Sequence, residues 1–174
     1  FNEGSTNIVS LVGPETRFVN ASGDLNLKGG EFTVTMPETY TSLTNARVFK
    51  SDKEIKIKGG HYDVNVPGPG SEIFSVSKNK DLDDSIITIT DGTFELVSDD
   101  DCFNADHHIT VNDGLFYAVS SNNDVFDSNG DMLVSGGTIM AYATAAGHEA
   151  FDVEPMVQGT EVSSFLPHQL TISG

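Results

Sequence analysis

One short pattern of apolar and polar positions recurs along the chain: apolar-x-apolar-x, a two-residue turn ending in glycine, then x-apolar-x-apolar. It runs Leu25-Asn26-Leu27-Lys28-Gly29-Gly30-Glu31-Phe32-Thr33-Val34. It returns at 55–64 around Gly59-Gly60, at 87–96 around Asp91-Gly92, at 109–118 around Asp113-Gly114 and at 132–141 around Gly136-Gly137. Residues 170–174 repeat its first half. Alternation of period two on both sides of a tight glycine turn predicts two short strands, each with one buried face. Asp-Gly and Gly-Gly supply the positive φ that such turns need.

A second motif precedes the first. Val19, Phe49, Phe103 and Phe126 each stand eleven residues before the second turn residue, at Gly30, Gly60, Gly114 and Gly137. Phe74 and Phe151 carry the same local motif, with insertions before their turns around 78–84 and 154–167. A small or β-branched residue follows two positions later every time: Ala21, Ser51, Val76, Ala105, Ser128, Val153. The intervals are 30, 25, 29, 23 and 25 residues.

These spacings predict an all-β chain folded as a parallel β-helix of about six coils, a single domain over residues 1–174 and part of a longer chain. A coil of three short strands cannot bury its apolar face alone, so coils stack and like residues stack on like. Phe49, Phe74, Phe103, Phe126 and Phe151 then run up the interior, where a strand spacing of ~4.8 Å suits offset ring stacking. The alternative is an antiparallel sandwich, since a glycine turn also closes a hairpin. Repeats of 23–30 residues are long for one hairpin, and the eleven-residue offset favours coils.

Charge divides this repeat in two. All nine Lys and Arg residues lie in 1–80 with nine acids, and residues 81–174 hold seventeen acids and no Lys or Arg. The acidic half disfavours nucleic acid and anionic membrane, which need clustered cations, and any mechanism using a Lys or Arg from that half. With about half the chain apolar or glycine, this is an acidic folded protein and not an acidic disordered tail. No apolar run approaches the ~18 residues of a membrane span. The lone Cys102 excludes an intrachain disulfide and a cysteine-ligated zinc site, and reads as a small buried hydrophobe.

The acids follow the register. Two positions before the aromatic column stand Arg17, Arg47, Glu72, Asp101, Asp124 and Glu149; one position after it stand Asn20, Lys50, Ser75, Asn104, Asp127 and Asp152. Asp99, Asp100 and Asp106 lie just outside the strand. Stacked carboxylates ~5 Å apart repel by about 0.9 kcal/mol in water and several-fold more at a lower effective dielectric. A hard divalent cation removes that cost, and calcium takes 6–8 oxygens from such groups. Asp101, Asn104, Asp124, Asp127, Glu149 and Asp152 are therefore the candidate calcium ligands. Asp99, Asp100, Asp106 and His148 are candidate ligand-binding residues. Asp and Asn also occupy turns because they cap their own loop and tolerate left-handed backbone, and that reading stands beside the metal one. His107-His108 reads as a solvent-exposed pair in a turn. No phosphate-cradling glycine loop, nucleophile elbow or Cys/His pair occurs.

The segment 124–138, DVFDSNGDMLVSGGT, resembles the bacterial carbohydrate-binding β-helix proteins, whose coils read approximately D-(G/A)-I-D-A-N-G-D-I-x-I-N-G-G-T-I. The resemblance extends less closely over 100–153, and the coils at 19–30 and 49–60 keep its hydrophobic register without the acids. It implies a right-handed helix related in fold to pectate lyases, bound calcium, and non-catalytic recognition of an acidic plant-type polysaccharide such as polygalacturonate. It also implies a secreted or surface-attached bacterial protein. Asp101, Asp124 and Asp127 match the motif's acids, Glu149 and Asp152 less closely; Phe replaces its aliphatic column residue and Asn104 one of its Asp residues.

Three functions compete: a calcium-dependent carbohydrate-binding module, a structural stalk or adhesin repeat, and a polysaccharide lyase. A lyase needs a Lys or Arg base beside the metal, and Arg17 and Arg47 stand two or more coils below Asp124 and Asp127.

Overall fold

The computed structural model describes residues 1–37, 44–77, 85–153 and 169–173. Among these the regular elements are all strands. The first coil comprises β1 (Thr6–Ser10), β2 (Arg17–Ala21) and β3 (Leu25–Leu27). The second comprises β4 (Glu31–Thr35), β5 (Arg47–Ser51) and β6 (Glu54–Ile57), and the third β7 (His61–Val66), β8 (Glu72–Val76) and β9 (Ile86–Ile89). The fourth has β10 (Thr93–Ser98), β11 (Phe103–Ala105) and β12 (His108–Val111). The fifth has β13 (Leu115–Ser120), β14 (Phe126–Ser128) and β15 (Met132–Val134), and the sixth β16 (Thr138–Ala143), β17 (Phe151–Val153) and β18 (Leu170–Ile172).

Every third strand pairs, so three six-stranded sheets result, and every pairing is parallel. This is the parallel β-helix of six coils, and the parallel pairing removes the hairpin sandwich. The glycine turns join sheet three to sheet one. At Gly60 and Gly114 the backbone has φ of 114° and 135°, and a Cβ would stand 2.9 Å and 3.1 Å from the carbonyl oxygen of the turn below. Each glycine is therefore required twice, for its dihedral and for the close approach of the next coil. The insertions at 78–84 and 154–167 fall outside the described residues.

The interior holds the expected aromatic column. Ring centroids are 4.9 Å apart for Phe49–Phe74, 5.0 Å for Phe74–Phe103, 4.7 Å for Phe103–Phe126 and 5.0 Å for Phe126–Phe151, with planes within 10° of parallel. A second ladder stands against it. Phe32, Tyr62, Phe94 and Phe116, each two residues past a turn glycine, stack at 4.5–5.0 Å. The ladders meet edge-to-face at 5.5–6.2 Å, so the rings from Phe32 to Phe126 have both favoured arrangements. Tyr62 keeps its hydroxyl satisfied by donating to the Gly59 carbonyl. Cys102 is fully buried, as expected of a small hydrophobe, and burial pushes its thiol up to about 12.

Candidate functional site

Sheet two runs from β2 to β17, and the columns flanking its aromatic ladder obey the predicted register. Lys50, Ser75, Asn104, Asp127 and Asp152 are consecutive partners, as are Arg17, Arg47 and Glu72. The corner between β10 and β11, at Asp99–Asp101, brings the acids together. One oxygen each of Glu72, Asp100 and Asp101 lies within 4.8 Å of the others. Glu72 is 4% exposed and Asp101 1%, whereas Asp100 is half-buried and gives the group its open side.

The pieces are held from several directions. Arg47 Nη2 pairs with Glu72 Oε1 at 2.7 Å, while its Nη1 donates to the Gly70 and Ala46 carbonyls. The second Glu72 oxygen, Oε2, is buried without a hydrogen-bond partner, as is the Ser75 hydroxyl. Asp100 Oδ1 accepts from Asn123 Nδ2 at 2.6 Å, and Asp101 Oδ2 accepts from Asn104 Nδ2 at 2.9 Å. Asp99 is drawn away from the group, accepting from the Gly70 amide at 2.7 Å and from the Ser121 hydroxyl.

Burial governs the electrostatics. It raises Glu72 to about 7 in spite of the opposing pull of Arg47. It raises Asp101 to about 9, helped by the charges of Asp100, Asp127, Glu72 and Asp124. Asp127 rises to about 7 from burial and then from Asp152 and Asp124. Three carboxylate oxygens this close together could hold a metal ion. The donors are oxygens, with no sulfur and no imidazole among them, which suits a hard ion such as calcium better than zinc.

The other predicted residues divide. Asp124 is buried and caps the next coil: its Oδ1 accepts the Glu149 amide at 2.6 Å, with His148 Nδ1 at 3.7 Å. Asp101 Oδ1 does the same for the Asp124 amide at 3.2 Å. Each buried Asp in this column thus bonds the backbone of the coil above, a role that needs no metal. Glu149 is exposed and Asp152 half-buried, and Asp106 is buried beyond the end of β11. His107 and His108 correct an expectation: both are half-buried with rings 3.8 Å apart, and His108, within β12, accepts the Asp131 amide on Nδ1. The stacking of one coil on the next covers them.

Glu72 stood in the predicted column but not among the predicted ligands. Its neighbours in sequence order are the arginines, and the acids were sought from Asp101 onward. The signal that finds it is the step from Arg47 to Glu72 to Asp101 in one register, where the last cation meets the first unpaired acid.

A family model for carbohydrate-binding domain-containing proteins matches residues 8–150. The chain belongs to this family. The match covers coils two to five whole, including the acidic corner and all of both aromatic ladders except Phe151. No match was found among curated proteins or among solved structures. A carbohydrate partner follows from membership, so the acidic corner belongs to a carbohydrate-binding protein.

Proposed function

We propose that this protein is a non-catalytic, calcium-loaded polysaccharide-binding module that recognises an acidic, pectin-like glycan outside the bacterial cell. The observation that carries the calcium is the orphaned Glu72 oxygen within a group of three carboxylates. Glu72, Asp100 and Asp101 would hold the ion, the column acids Asp124, Asp127, Glu149 and Asp152 would supply the negative field around it, and Asn104 would orient Asp101 by its hydrogen bond. When bound, calcium supplies a positive charge that meets a sugar carboxylate or hydroxyl, the contact an acidic half without Lys or Arg cannot make by itself.

The non-catalytic reading has support of its own. Arg47 stands one coil from Glu72, closer to the acids than its distance from Asp124 suggested. Its guanidinium, however, already serves Glu72 and two backbone carbonyls, which leaves it a poor candidate for a lyase base. A second reading, a stalk repeat whose calcium only ties coils together, is favoured by the burial of Asp101 and Asp124 and by their bonds to the next coil.

Calorimetric titration of calcium into chelator-stripped protein tests the ion; heat is expected in the wild type and none in Glu72→Gln/Asp101→Asn. Retention on polygalacturonate with and without chelator separates module from stalk: a stalk binds calcium but no glycan. Appearance of unsaturated uronate product would replace the binding role with lyase activity.

A further inference from the structure

The glycine turns differ in what meets their second amide. In the Asp-Gly turns the aspartate folds back on its own turn: Asp91 Oδ1 accepts the Gly92 amide at 2.7 Å, and Asp113 Oδ1 the Gly114 amide at 2.8 Å. In the Gly-Gly turns no side chain stands at that position to do so. Among the described residues, the amides of Gly30 and Gly60 donate to no acceptor. A lysine precedes each of these two turns, Lys28 and Lys58. The Lys58 amide bonds the Leu27 carbonyl, so the two lysines stand one coil apart in one column. Both are exposed, and neither forms an ion pair with a described residue, although Lys56 nearby is paired with Glu54.

An open groove of about 540 Å³ runs over both turns, lined by Lys28, Lys58, His61 and the turn glycines. Three carboxylates also border it. Asp91 is engaged by the Gly92 amide, Glu31 stands in register with His61 on the neighbouring strand, and Glu3 lies against Gly29. None of the three is bonded to the Gly30 or Gly60 amide or to either lysine. Two like charges in one column beside two unmet backbone donors leave a demand for negative charge. Backbone N–H groups in a turn make an anion-binding concavity, and an anion that also meets ammonium groups gains charge-assisted hydrogen bonds. The coils above show which anion fits the turn: a carboxylate oxygen, there supplied by the chain itself.

We infer that the Gly29-Gly30 and Gly59-Gly60 turns, with Lys28 and Lys58, form a site for a small organic carboxylate that binds without a metal. One oxygen of the ligand takes the place at the Gly60 amide that Asp91 Oδ1 takes at Gly92, and the lysines meet its remaining charge. The inference is independent of the calcium reading. The turns lie at the corner between sheets three and one in the charge-balanced half, and the acids lie on sheet two and its entry corner. Gly136-Gly137 is the contrasting case within the same chain: it too lacks a turn aspartate, but Ser135 precedes it and its half contains no Lys or Arg.

The test is an amide-resolved NMR titration of the whole chain in chelator, at fixed ionic strength, with acetate and N-acetylglycine against chloride. Saturable shifts are expected at the Gly60 and Gly30 amides with both carboxylates, and little change at Gly137. Gly59→Asp gives the turn its own carboxylate. A Cβ at Gly59 meets nothing within 4 Å, and Asp91 and Asp113 hold the same position in the coils above. This variant should therefore keep its melting temperature and lose the response to acetate. Lys28→Gln/Lys58→Gln alters two exposed side chains and should weaken binding by about tenfold. The inference is overturned if Gly60 shows no saturable shift, if chloride shifts it equally, or if Gly137 responds with the same size and midpoint. Undiminished binding by Gly59→Asp or by the lysine pair overturns it as well, and the lysine pair decides alone should Gly59→Asp fail to fold.

Discussion

Coils one to three and coils four to six share an interior and differ outside. In the lower half the ladder spacing is 4.9 Å at Phe49–Phe74, and in the upper half 4.7 Å at Phe103–Phe126. The columns flanking the aromatic ladder run through Arg17, Arg47 and Lys50 below, and through Asp101, Asp124 and Asp127 above. The outer face of sheet one passes from Thr33 and Asp63 to Tyr117 and Tyr142. Stacking of inner residues and backbone bonds fixes the register, and neither depends on what points outward. Coils can therefore diverge in surface chemistry without loss of fold, and the boundary falls at Glu72, which is paired to a cation below and faces bare acids above.

The largest effect should come from the shared interior. Phe49→Ala and Phe126→Ala each remove a fully buried ring from a stack, a change worth about 3–5 kcal/mol. Chemical denaturation should give similar losses for the two, because each ring meets a parallel neighbour and edge-on partners from the other ladder. A much smaller loss for Phe126 would mean that the halves differ inside as well as out.

The stacking was legible in the sequence because it obeys a rule of position. The eleven-residue offset to the glycine places Phe49, Phe103 and Phe126 in one column, and the structure keeps them there. The second ladder was equally written, two residues past each turn glycine, but its members also satisfy ordinary alternation and so did not stand apart. The acidic site was legible only as columns. Which acids meet depends on the path of the corner at Asp99–Asp101, where Asp99 turns to the Gly70 amide while Asp100 and Asp101 turn to Glu72. That choice is made by hydrogen bonds between coils, which a linear spacing does not contain.

The next effect separates the halves by charge. Without metal, Glu72 and Asp127 titrate near 7 and Asp101 near 9, all above the ordinary carboxylate range. Between about 4, where these groups titrate in the unfolded chain, and those values, the folded state binds more protons. Stability therefore falls as pH rises through that window. The melting temperature of chelated protein should drop between pH 5 and pH 8, on the order of 5 °C for a loss of about 2 kcal/mol. Calcium should restore much of it at pH 8 and little at pH 5, where protons compete for the same oxygens. Asp101→Asn, which keeps a side-chain acceptor and removes one buried charge, should flatten the profile. A profile unchanged by Asp101→Asn would place the pH sensitivity elsewhere.

The smallest effect decides what the upper column is for. Asp124 Oδ1 accepts the Glu149 amide, and its own amide is capped by Asp101. If capping is its whole role, Asn at this position keeps an acceptor and costs little. Ala then removes the acceptor of a part-buried amide and costs about 1 kcal/mol. Calcium uptake would be the same in both variants, since neither alters Glu72, Asp100 or Asp101. If instead Asp124 is a ligand, as the register alone suggests, both variants weaken calcium, Ala more than Asn, whose amide oxygen still ligates. Measuring melting temperature and calcium affinity for Asp124→Asn and Asp124→Ala thus sets the two accounts of one column against each other. An order of stability Asp ≥ Asn > Ala with constant calcium affinity assigns the column to the backbone, and confines the cation to the boundary between the two halves.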